Sequence, residues 1–220
     1  MKNIVNCAIK DLKLSFHASV IVYLILGFAL FFAPNYPAYV GPFFIVVGIM
    51  LTFNMDLANR DREFCGIMPI SKSDAVYGRV LAIVFLEIIE IAVCIPGAIL
   101  GSKVLRSLVH VADVFIKPNL VLFSAVLLGY GFSNFLIIPA GYSKQFRVGG
   151  KTLASTLIYA LIIGVTEYVS KIEVSGFLRE NSAEALMKQI PILAVSIVVY
   201  IVLTLLAAKQ AAKKFERANI

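Results

Sequence analysis

The sequence contains no tryptophan, two histidines and three cysteines, and only 15% of its 220 residues are charged. Each shortage excludes something. Water-soluble domains carry about 25% charged residues, so a chain with this little charge and 60% hydrophobic residues is not built to fold in water. His17 and His110 fall on opposite sides of any membrane arrangement, and no His/Cys/Asp cluster has metal-ligand spacing, so no metal centre is expected. Cys7, Cys65 and Cys94 lie in two inner segments and one apolar run, and none is placed for an extracellular disulfide. No serine stands in a nucleophile elbow and no H-E-x-x-H motif occurs, so no catalytic residue is expected in this chain. With tryptophan missing, the 16 phenylalanines and 9 tyrosines must supply the aromatic contacts at span ends and packing faces.

One apparent phosphate motif also fails. In VGGKTLAS, Gly150-Lys151-Thr152 copies the end of a phosphate-binding loop, but Gln145 stands where the first glycine is required. A membrane helix, not a strand, precedes it. Lys151 reads as an interfacial anchor and Thr152 as a helix cap. No cofactor is expected on this chain, and any ATP that powers it must be bound by another one.

What the chain does have is apolar length. Six runs approach the roughly 20 residues needed to cross a hydrocarbon core: Ala18–Ala33, Ala38–Met55, Val80–Gly101, Asn119–Ala140, Leu153–Val169 and Ile190–Ala208. The fold class expected is all-α, a polytopic protein of six transmembrane helices forming a single domain over residues 1–220. Pro118, Pro139 and Pro191 read as helix ends, whereas Pro96 with Gly97 reads as a kink or break in the third span. A short outer-surface helix is expected within Ser102–Lys117, and a solvated loop or short helix over Ser170–Gln189. No cleavable signal peptide is apparent, because the first run lacks a small-residue cleavage site.

Cytoplasmic segments retain lysine and arginine. With the N-terminus inside, fourteen such residues fall on inner segments and six on outer ones, so both termini should be cytoplasmic. The net charge of +7 is scattered over membrane flanks, which suits lipid headgroups and not nucleic acid. Residues 1–17 place Ile4, Val5, Ala8, Ile9, Leu12 and Phe16 at helical spacing against Lys2, Asn6, Lys10 and Lys13. That pattern fits an interfacial amphipathic helix, and fits equally a snorkelling lead-in to the first span.

The inner segment 56–79, DLANRDREFCGIMPISKSDAVYGR, is the most polar stretch. Arg60, Asp61, Arg62 and Glu63 alternate in sign, which suits a helix docking on a mixed-charge protein surface, with Phe64 as an aromatic anchor. Pro69 stops this element, and Ser71 with Asp74 forms a start signal for the next helix. Within the third span, Glu87 and Glu90 share one helical face at mid-depth. Ionised carboxylates there cost at least a few kcal/mol, so both must face protein or a cavity. One reading makes them a substrate or interface patch. The other makes them a helix-packing pair bonded to neighbouring helices.

Lys10-Asp11-Leu12 near the start, Pro69-Ile70-Ser71-Lys72-Ser73-Asp74 and the following Gly78-Arg79, in a six-span layout, carry a resemblance. The chain resembles the compact ABC type-2 permeases, especially exporters of amphipathic peptides such as phenol-soluble modulins and related antimicrobial peptides. Cys65-Gly66 and Met68 depart from the bulkier aliphatic residues common there. The resemblance implies a bacterial plasma-membrane protein with two permease copies, identical or not, and two copies of a cytoplasmic ABC ATPase that binds ATP and Mg. It implies that the loop between spans two and three holds a coupling helix over Asn59–Gly66, with Arg60, Asp61, Arg62, Glu63 and Phe64 as ATPase contacts. The competing expectations are a proton-driven transporter using Glu87 and Glu90, and a non-transporting scaffold or immunity protein.

Overall fold

A computed structural model describes residues 2–16, 18–33, 37–108, 118–143 and 148–218, and every regular element among them is helical. The order is α1 (Lys2–Lys10), one π-helical turn (Asp11–Ser15), α2 (Ala18–Ala29) ending in a 3-10 turn (Leu30–Phe32), α3 (Val40–Ala58), α4 (Asp61–Ile67), α5 (Lys72–Leu108), α6 (Leu120–Gly141), α7 (Val148–Ser170), a 3-10 segment (Glu173–Leu178) and α8 (Ala183–Glu216). Helices are the expected outcome in lipid, where every backbone polar group must be satisfied within its own segment.

Five of these helices are long and apolar enough to cross a membrane, and there are six spans if Lys2–Ser15 and Val20–Phe32, which turn by 80° between them, count as one. α6 forms the centre, with 67% of its most apolar stretch buried against 17% for α7 and 22% for α8. Hydrophobicity does not drive helices together in lipid, so close packing around small residues must. α6 supplies them on three sides: a side chain at Gly129 would meet the Tyr159 ring of α7, at Gly131 the Tyr200 backbone of α8, and at Gly141 the Phe53 ring of α3. Polar side chains add ties. Tyr130 donates to the Pro42 carbonyl at 2.8 Å, and Ser155 to Ser133 at 2.7 Å.

Several sequence expectations are corrected. Pro96 does not break the third span, since α5 runs unbroken from Lys72 to Leu108. Gly97 beside it instead makes room for the Phe28 and Phe31 rings of α2. Pro191 lies inside α8, which begins at Ala183 with the Ser182 hydroxyl accepting from the Ala185 N–H. Thr152 is no cap, because α7 already begins at Val148 and runs through both glycines. The lead-in helix is held to the bundle: a side chain at Gly78 of α5 would collide with Cys7 of α1, and Cys7 and Ala8 are buried there. Val5, Ile9 and Leu14 stay exposed on its other side. The expected outer helix falls partly on residues 109–117, outside the described residues, as do His17, His110, Lys144 and Arg147.

Candidate functional site

α3 ends at Ala58, and the chain reverses into α4 through Arg60, whose φ of 54° is the one positive value among the described non-glycine residues. That left-handed conformation costs about 1–2 kcal/mol and is kept where the surroundings fix the turn. The Arg60 carbonyl accepts from the Phe64 N–H, opening the helix. At the far end Met68 is extended before Pro69. The Ser71 hydroxyl then accepts from the Asp74 N–H at 2.9 Å, the cap that the S-x-x-D pattern announces for α5.

The five residues expected to meet a partner do not share one face. Arg60, Glu63 and Phe64 turn outward, with the Arg60 side chain 79% exposed and Phe64 51% exposed. Ile67, at i+3 from Phe64 and 82% exposed, extends the same surface and was not singled out by the sequence pattern. Asp61 and Arg62 turn inward. Arg62 donates to the carbonyls of Gly141 and Ser143 at 3.2 and 3.1 Å, fastening α4 to the end of α6. Asp61 accepts from Lys10 of α1 at 3.0 Å and from Arg79 of α5 at 3.1 Å.

Arg79 is the centre of this inner side and is 3% exposed. Its guanidinium touches three aspartates on three segments: Asp11 through Nε at 2.8 Å, Asp56 of α3 through Nη1 at 2.8 Å, and Asp61 through Nη2 at 3.1 Å. The Asp61 contact is an aligned hydrogen bond. The Nε and Nη1 N–H groups have no aligned acceptor, so those two contacts are close ion pairs in character. The Phe16 and Phe53 rings cover the guanidinium at 5.6 and 5.8 Å, which suits arginine's weakly hydrated plane. Lys10 also pairs with Asp11 at 3.0 Å. Burial works against the Lys10 charge, but Asp11 and Asp61 outweigh it and raise its pKa. Burial, and then the Asp61 carboxylate, push the Cys65 thiol up to about 11.

Below this layer, Tyr142 packs between Phe53 and Phe215, with ring centroids at 6.3 and 5.2 Å. The end of α8 is clasped to the start of α5. Lys72 donates to the Ala218 carbonyl at 2.8 Å and Ser73 to Glu216 at 2.5 Å. Spacing alone does not show Arg79, Asp11 and Asp56 as a group. The available signal was Asp56 at the very edge of an apolar run, where an unpaired charge is unfavourable.

Glu87 and Glu90 are 1% and 0% exposed and face protein, not lipid. Tyr200 of α8 donates to Glu87 Oε2 at 2.6 Å, and Asn134 of α6 donates to the same oxygen at 3.1 Å and to Thr204 at 3.2 Å. Cys94 donates to Glu90 Oε1 at 3.3 Å, and the absence of a side chain at Gly27 of α2 leaves room for that carboxyl. Glu87 Oε1 and Glu90 Oε2 are buried without hydrogen-bond partners. The two acids thus join α2, α5, α6 and α8, and Asn134, Tyr200 and Thr204 are the partners that sequence alone did not identify.

Comparison with curated proteins and with solved structures gives no match. A family model described as ABC-2 family transporter protein matches residues 8–211. The match takes in the Asp11–Arg79 contact, the whole of α4 and the membrane helices, and membership implies a membrane-embedded transport component that associates with an ABC ATPase. By this match, with its apolar helical bundle, the chain belongs to the ABC-2 family of transporter membrane proteins.

Proposed function

We propose that this chain is the permease subunit of an ATP-driven exporter that moves a hydrophobic or amphipathic cargo, such as a peptide. Two permeases and two ATPases form the unit, both permease termini are cytoplasmic, and the membrane is a bacterial plasma membrane. ATP and Mg are held by the ATPase. α4 is the coupling helix, and its outward face of Arg60, Glu63, Phe64 and Ile67 lies in a groove of that subunit.

The observation that supports this most is the exposure of Phe64 and Ile67 on a short helix at the polar end of the bundle. Two large apolar side chains on a polar loop are unfavourable in water, and a partner's groove relieves that. Aromatic anchors of this kind are often worth about 2 kcal/mol or more, with rim charges contributing less. Closure of the ATPases on ATP would carry α4 with them. Arg62 and Asp61, on the opposite face, would pass the motion into α6 and α5. The 14-to-6 distribution of lysine and arginine supports the orientation.

Family membership favours this reading over a proton-driven carrier or a scaffold that never meets an ATPase. The test is affinity purification of the tagged permease from native membranes, with ATP hydrolysis measured in the eluate. Phe64→Ala should lose most of the co-purified activity while inserting normally, and Arg62→Ala should retain the ATPase. Equal retention by native protein and Phe64→Ala refutes α4 docking.

A further inference from the structure

We propose that Arg79 is a positioning residue for transport, the junction through which displacement of α4 reaches α5, and that its bond to Asp61 is the transmitting link. This deepens the coupling-helix reading and rests on it. α4 is joined to its neighbours by few contacts. Its apolar side is small, with Cys65 the one buried side chain on it. Its polar ties include Arg62 to the end of α6, Lys10 to Asp61 and to the Cys65 thiol, and Arg79 to Asp61. Of these, Arg79 alone is a side chain of a long membrane-spanning helix, rooted near the start of α5.

The other arms of the guanidinium reach Asp56 at the end of α3 and Asp11 after α1. One planar group on α5 therefore meets α3, α4 and the turn after α1. A planar, multidentate cation suits that task, whereas a lysine ammonium is a point charge that cannot span three carboxylates in fixed directions. The junction is also stiff. Gly78 lets α1 lie directly on α5 one residue before Arg79, and the two phenylalanine rings close the guanidinium off from water. Breaking one partner of a buried charge set leaves the others uncompensated, so a displacement of Asp61 is resisted and is passed to α5. Lys10 has a different place. It is more exposed, and it ties Asp61 to the end of α1 and not directly to α5.

The experiment uses the purified permease–ATPase complex in nanodiscs, with the ATPase cysteines replaced. Nitroxides are placed on the lipid-facing positions Ile88→Cys of α5 and Leu161→Cys of α7, and the three native thiols are buried. The probe is ADP with vanadate, and the readout is the change in the α5–α7 distance distribution on trapping. In the native complex trapping shifts the distribution. Asp61→Asn abolishes the shift with the ATPase still bound in full, Arg79→Lys retains part of it, and Lys10→Met retains all of it. A full shift in Asp61→Asn or in Arg79→Lys overturns the proposal, and so does equal loss in Lys10→Met and Asp61→Asn, which a merely structural cluster would give. No shift in the native complex also overturns it. Phe64→Ala separates the two readings: if it keeps both the ATPase and the shift, α4 docking itself fails, whatever Asp61→Asn does.

Discussion

Buried polar side chains make specific contacts between the helices of this protein, and each makes a different demand. Cys65 sits under α4 with its thiol pushed up to about 11 by burial and by Asp61. Against an ordinary thiol near 9.0, its thiolate fraction at pH 8 is roughly 100-fold lower. Alkylation of Cys65 in detergent-solubilised protein at pH 8 should be slower than that of an exposed engineered cysteine, and comparable rates would show that α4 does not cover it. Glu87 makes the opposite case, with two donors on one oxygen and none on the other. Glu87→Gln keeps an acceptor for Tyr200 and should leave thermal unfolding nearly unchanged. Glu87→Leu strands the Tyr200 hydroxyl and leaves the Asn134 amide only Thr204, and should cost about 1–3 kcal/mol. That these acids face protein was legible in the sequence, because the cost of a carboxylate in lipid leaves no other place for it. Their partners were not, since Asn134, Tyr200 and Thr204 lie on two other helices whose rotation no local pattern fixes. Arg79 was hidden for a related reason. It reads as one more flanking cation until the fold brings Asp11, Asp56 and Asp61 around it.

At the level of elements, local signals held where the chain enters water and failed where lipid or packing decides. Ser71 caps α5 as its spacing to Asp74 implies, and Pro69 separates α4 from α5. Ser71→Ala should destabilise the protein by about 1 kcal/mol, measurable by thermal unfolding, and should loosen the linkage between α4 and α5. The cap expected at Thr152 was not found, because α7 already runs from Val148 through Gly149 and Gly150. Likewise, Pro96 remains inside α5. Gly78 is a position where packing needs a missing side chain, because α1 lies on it. Gly78→Leu should lift α1 from α5 and expose Cys7, seen as faster labelling of Cys7, and an unchanged labelling rate would contradict the α1–α5 contact.

For the whole molecule, six apolar runs were enough to predict an all-helical membrane protein, since a hydrocarbon core sets helix length directly. The least regular part is the start, where α1, the π-helical turn and the short α2 replace one plain span with a bent pair. Amphipathic spacing gave that helix a surface position but could not show that α5 holds it. The alternating charges of the loop were read as one docking face, and the fold divides them between an outward face and an inward anchor. The orientation implied by the 14-to-6 charge asymmetry predicts that Lys213→Cys will resist an impermeant thiol reagent added to intact cells, and labelling from outside would invert the topology. The central claim is that the outward face of α4 is covered by an ABC ATPase. It is tested most directly by replacing Ile67, and separately Cys65, with a photo-crosslinking amino acid in native membranes and identifying the adducts by mass spectrometry. The account predicts an ABC ATPase adduct from Ile67, which is 82% exposed, and none from the buried Cys65; an Ile67 probe that captures only lipid, with no ATPase adduct, would contradict it.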